Sequence, residues 1–147
     1  MSPLDRYVVE RKLAILLEEI EHLNAFVISR PDFSDFKEEY SLLHSLQRAL
    51  ASLTDIAQHI VVRESGGVPD TYVQAVKQLS SMGAISAELG ERLQKAVSFR
   101  NKIVHDYEVI DISRILAFLP LACADMKSFA CEIKRYVGEH FKPGETL

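Results

Sequence analysis

Arg100, His105 and Tyr107 close a long helical pattern, and their types and spacing suit chemistry on a phosphate. An imidazole titrates near neutrality and can give or take a proton in that range. A guanidinium keeps its charge and presents a fork of N–H donors matched to phosphate oxygens. The position of the arginine is as telling as its type. Leu89, Leu93 and Ala96 mark an apolar stripe whose next place falls to Arg100, and Ile103 and Tyr107 continue it. A guanidinium buried without a partner is costly. Arg100 is therefore expected to face a carboxylate, another subunit or a polyanionic ligand such as a phosphate.

The elements that must position these residues read as helices throughout. A first helix is predicted from about Asp5 to Ile28, with Val9, Leu13, Leu16, Ile20, Leu23 and Val27 at alternating spacings of four and three. Arg30-Pro31-Asp32 stops it. A second helix begins near Ser34 or Asp35 and carries Tyr40, Leu43, Leu46, Leu50, Leu53, Ala57 and Ile60 on one face. Ser65-Gly66-Gly67-Val68-Pro69-Asp70 is the clearest break. Asp70 or Thr71 caps a short third helix ending near Ser81, and Gly83 closes it. Ser86 caps the fourth, which carries Arg100 and is expected to end near Val104. Asp111 caps the last, with Ile112, Leu116, Leu119, Cys123, Met126, Ala130, Ile133 and Val137 in line and Pro120 expected to kink or split it. No stretch alternates with period two. The fold class is all-α, an antiparallel bundle of four to five helices in a single domain over residues 1–147. Ile15, Leu17 and Phe26 lie beyond the main stripe of the first helix and suggest a second buried face, hence a dimer.

Composition excludes several classes. At 147 residues, 48% apolar and 26% charged, the chain suits one globular domain. A formal net charge of −4 argues against a general nucleic-acid binder. Arg92, Lys95, Arg100 and Lys102 nevertheless form a local basic strip without an intervening acid, more suited to a small anionic target than to a long duplex. Taken alone, Arg92, Lys95 and Lys102 read as a solvated helix face. No signal peptide or membrane span is apparent, so a cytoplasmic location is expected. Cys123 and Cys131 lie about 12 Å apart along one helix, too far to bridge, and read as small apolar residues in a reducing compartment. No zinc-type spacing occurs, and Gly66-Gly67 lacks the Lys-Ser/Thr of a phosphate loop, so neither metal nor cofactor is expected. Asp55 and His59 stand four apart and are placed to hydrogen-bond, while His22, His44 and His140 fall beside the apolar faces or in the tail.

Arg, four residues, His, one residue, Tyr is also a family signature. Roughly one chain in five of this length has an Arg and a His five apart by accident, and the added Tyr lowers this to about one in a hundred. Arg100, His105 and Tyr107, with Asn101 directly after the arginine, resemble the motif of the HepT-like branch of the HEPN superfamily. The first helix, the Thr54–Ile60 segment, the Gly67-Val68-Pro69 loop and the long last helix resemble it too, so the likeness spans essentially the whole chain. The resemblance implies a metal-independent endoribonuclease, the toxin of a type VII-like toxin–antitoxin pair. It implies a homodimer whose two motifs line one cleft, RNA as substrate, and a minimal nucleotidyltransferase antitoxin that silences the toxin by attaching AMP to Tyr107. Arg100 and His105 would be catalytic, with Asn101 and Asp106 in support.

These residues suit such a reaction. The 2′-hydroxyl of RNA is its own nucleophile, so cleavage needs a base, an acid and positive charge on the phosphorane, and leaves a 2′,3′-cyclic phosphate. His105 can serve either proton transfer and Arg100 the charge. Two copies of the motif would supply both roles. Five residues on an ideal helix set Arg100 and His105 about 140° apart, so they converge only if the helix ends between them or the cleft wraps its end. Plainer roles stand beside this reading. Arg100 can pair with Asp55, Asp106 or Glu108, His105 can cap carbonyls, and Tyr107 can be a core aromatic. A non-catalytic helical adaptor that binds a nucleotidyltransferase or a nucleotide is the alternative function, and a purely structural dimer the third.

Overall fold

The computed structural model describes residues 3–29, 36–105 and 111–140, except the side chains of 3–4 and 101–105. Five helices follow one another: α1 (Pro3–Ser29), α2 (Phe36–Ser65), α3 (Tyr72–Ser81), α4 (Ala87–His105) and α5 (Ile112–His140). The described residues contain no strand. None of these helices is long and apolar enough to cross a membrane.

Side-chain pairs fix the directions. Asp5, Lys12 and Glu19 of α1 meet His59, Asp55 and Ser45 of α2, so α2 descends as α1 ascends. Ser86 and Arg92 meet Glu132 and Asp125, which makes α4 antiparallel to α5. The start of α1 lies beside Lys134 and Val137, and its end beside Ser113 and Leu116, so α1 and α5 also run oppositely. α1, α2, α4 and α5 thus form a four-membered ring in which neighbours alternate in direction, and α3 packs on α2 and α4. Such a ring lets every helix bury one stripe in a shared centre. The predicted stripes do so: Val9, Leu13, Leu16, Ile20, Leu23, Leu46, Leu53, Ile60, Leu89, Leu93, Leu119, Met126 and Ile133 are all buried. Each large aliphatic side chain taken from water contributes about 1.5–3 kcal/mol before entropic costs. Tyr40, placed on the α2 stripe by its spacing, is exposed instead, because it precedes the part of α2 that the ring encloses. The extra apolar residues of α1 (Ile15, Leu17 and Phe26) are half-buried in the single chain.

Local signals end the helices where the sequence places them. Thr71, in extended conformation, accepts a hydrogen bond from the Gln74 amide at 3.1 Å and opens α3. Gly83 closes α3 at φ +78°, a conformation costly to any side chain, while the amides of Gly83 and Ala84 donate back to Ser80 and Leu79. Ser86 accepts from the Leu89 amide at 3.2 Å and starts α4. Asp111 accepts from the amide and hydroxyl of Ser113 at the start of α5, and that hydroxyl holds its carboxyl below the usual range. Between α3 and α4 the backbones approach closely: a Cβ built on Gly90 would stand 2.9 Å from Cβ of Ser80. Only glycine admits that contact.

One expectation is corrected. Pro120 does not split the last helix, since α5 runs unbroken from Ile112 to His140. The ring sits on an exposed face, where solvent can take up the Leu116 carbonyl that has lost its amide partner. α4 ends at His105, one residue from the expected end near Val104, so the backbone is helical from Arg100 to His105.

Candidate active site at the end of the fourth helix

Arg100 lies one turn beyond the buried Ala96 and Val97, where the stripe of α4 leaves the core. The residue is half-buried, yet its Nε is sealed from solvent and finds no hydrogen-bond partner among the described residues. A buried donor left unpaired costs about 1–3 kcal/mol, and such a group in a folded protein calls for an explanation. What Arg100 does meet is aromatic: its Cζ lies over the ring of Tyr72, 5.2 Å from the centroid. Tyr72 opens α3, directly after the Thr71 cap, and α3 runs antiparallel to α4 so that the two residues meet. The Tyr72 ring was not legible as a site residue, because only the register of α3 on α4 brings it there. The one local signal is its place beside a helix cap.

The other predicted site residues fall as follows. Asn101 and His105 occupy α4, with their side chains outside the described residues. Asp106 and Tyr107 lie outside them entirely. With α4 helical through His105, the backbone positions of Arg100 and His105 are about 140° apart in register and about 7.5 Å apart along the axis. Convergence on one phosphate then requires the cleft to wrap the end of α4.

Of the partners proposed for Arg100, Asp55 is engaged elsewhere, and Asp106 and Glu108 lie outside the described residues. Asp55 accepts from Lys12 at 3.3 Å, and no contact to Arg100 or His59 is seen. His59 instead lies 3.1 Å from Asp5, which also takes Nε of Arg63 at 3.0 Å. The helical spacing of Asp55 and His59 permitted a bond, but α1 supplied a buried carboxylate to one and a lysine to the other. Arg92 of the basic strip is bound to Asp125 at 3.0 Å, which agrees with a structural role. His22 approaches Glu19 at 3.6 Å, His44 borders the same groove, and His140 stacks on Tyr136. Among the described residues no three His, Cys, Asp or Glu side chains are grouped to hold a metal ion. Cys123 and Cys131 are both free, and burial pushes the Cys123 thiol up to about 11, far from a reactive thiolate.

Comparison with known proteins bears on the fold and the family of the chain. Over 139 residues the chain is 24% identical to the tRNA nuclease HepT of Aphanizomenon flos-aquae, covering 93% of this chain and 95% of that one. It is 30% identical over 107 residues to the mRNA nuclease HepT of Shewanella oneidensis, covering 70% and 80%. The fold superposes with a TM-score of 0.79 on the tri-AMPylated HEPN toxin of Shewanella oneidensis in complex with an MNT antitoxin, at 26% identity over 87% of this chain and 97% of that one. Residues 3–133 match the family described as Ribonuclease HepT-like. That match, over most of the chain, makes this protein a member of the ribonuclease HepT-like family.

Proposed function

We propose that this chain is an endoribonuclease, the toxin of a toxin–antitoxin pair, and that it cleaves RNA through its own 2′-hydroxyl without a metal ion. The observation that carries this reading is the solvent-sealed Nε of Arg100, unanswered by any described carboxylate and five residues ahead of His105 on one helix. Arg100 stabilises the charge that builds on the phosphorane, and His105 transfers protons to or from the attacking and leaving oxygens. Asn101 and Asp106 support them. Because α4 sets Arg100 and His105 on different faces, a homodimer that brings the ends of two α4 helices together supplies both groups to one phosphate. The exposed Phe118 and Leu121 of α5, and the half-buried apolar residues of α1, favour such a pairing.

Relatives named as tRNA and mRNA nucleases support RNA as the substrate class. The complex of a tri-AMPylated relative with an MNT antitoxin supports a nucleotidyltransferase partner, with Tyr107 as the acceptor of AMP. A bulky anion there would crowd the cleft and compete for the Arg100 charge. The two free thiols suit a reducing, cytoplasmic setting.

The test is cleavage of RNA by the purified chain in EDTA, with cyclic-phosphate ends among the products. His105→Ala is expected to lower the rate by about 10²–10⁴-fold. Cleavage that vanishes in EDTA and returns with magnesium overturns the reading.

A further inference from the structure

Tyr72 is exposed over 37% of its surface, too open to serve as a core aromatic. Two separate features deliver it to Arg100. The Thr71 cap fixes where α3 begins, and the Ser80–Gly90 contact sets the height of α3 on α4. The pairing differs in kind from that of Arg92, whose Nε is bound by the Asp125 carboxylate. A carboxylate holds an arginine but neutralises it and occupies its donors. An aromatic face attracts the cation through its quadrupole and leaves the positive charge in place.

We infer that Tyr72 is a positioning residue for cleavage: its ring face steadies the Arg100 guanidinium without cancelling the charge that the scissile phosphate meets. The inference rests on the nuclease reading above. It assigns the work to the ring and none to the hydroxyl, so phenylalanine should replace tyrosine and alanine should not.

Cleavage kinetics of Tyr72→Ala and Tyr72→Phe, each with and without Arg100→Ala, test it. Binding of an RNA whose scissile 2′-hydroxyl is replaced by hydrogen is measured in parallel. Tyr72→Ala is expected to lower kcat about tenfold, with KM changed less than about twofold. Tyr72→Phe should keep the original rate, and Tyr72→Ala should cost nothing further once Arg100 is alanine. Full activity in Tyr72→Ala, equal damage by Phe and Ala, or an additive loss in the double variant overturns the inference. If the unaltered chain binds the uncleavable RNA but cuts none, the nuclease reading falls. The positioning role for cleavage, which rests on that reading, then falls with it, whereas the three outcomes above overturn the role of Tyr72 alone. An unaltered chain that neither binds nor cuts overturns both.

Discussion

Along the contact of α1 with α2, buried acids are answered by partners on the facing helix. Glu19 accepts from Ser45 at 2.6 Å and lies 3.5 Å from Arg48, while Asp5 gathers His59 and Arg63. Near the end of α4 the described residues do the opposite: none of them answers Nε of Arg100, and an aromatic ring stands beside it. The first region closes its charges on one another and holds two long helices in register. Among the described residues the second leaves one buried donor unanswered, at a cost to stability, which suits the anion site proposed above.

Substitution can break that contrast in either direction. The largest effect is expected from Arg100→Ala, which should lower RNA cleavage by about 10²–10³-fold or more while costing no more than about 1 kcal/mol in urea unfolding. A large loss of stability with cleavage intact would place Arg100 with the structural pairs instead. Glu19→Ala should behave in the mirror sense. It removes the acceptor of the buried Ser45 hydroxyl and the partner of the exposed Arg48, and is expected to cost about 1 kcal/mol in the same unfolding measurement, with the cleavage rate of the folded protein unchanged.

The smallest effect sharpens the comparison from a third place. The buried Cys123 thiol, pushed up to about 11 from an ordinary 9.0, holds its proton more tightly in the folded chain than in the unfolded one. Its contribution is therefore complete below pH 9 and fades as pH rises through about 11. Tyr136, raised by burial and by Glu64, titrates in the same direction, so the thiol is isolated by comparison with Cys123→Ala. The variant should lose less stability than the unaltered chain across that window. At pH 8 a thiol reagent should label the exposed Cys131 and leave Cys123 untouched until the protein unfolds.

Most of the bundle was legible because its determinants are local. Apolar spacing marked the inward faces, and Thr71, Gly83, Ser86 and Asp111 mark helix ends through bonds to residues a few positions away. Arg100 stood out for the same reason, as a charge in an apolar sequence position. What escaped depends on residues far apart in the chain. His59 has an eligible partner four residues away in Asp55, yet takes Asp5 from another helix. Tyr72 has no distinction until α3 is laid against α4. Pro120 shows the reverse: a local rule offered a kink or a split, and the split is not made because an exposed helical face absorbs the proline.

Gly90 acts as a notch into which Ser80 seats, and it lies about 15 Å along the axis from Arg100. That remote fit meters how far α3 slides along its neighbour, and so where the aromatic plate stops beneath the cation. The alignment of Tyr72 with Arg100 is thus inherited from a joint some way down the helix pair. A drift of small residues at that joint could retune the toxin without altering any group that handles RNA.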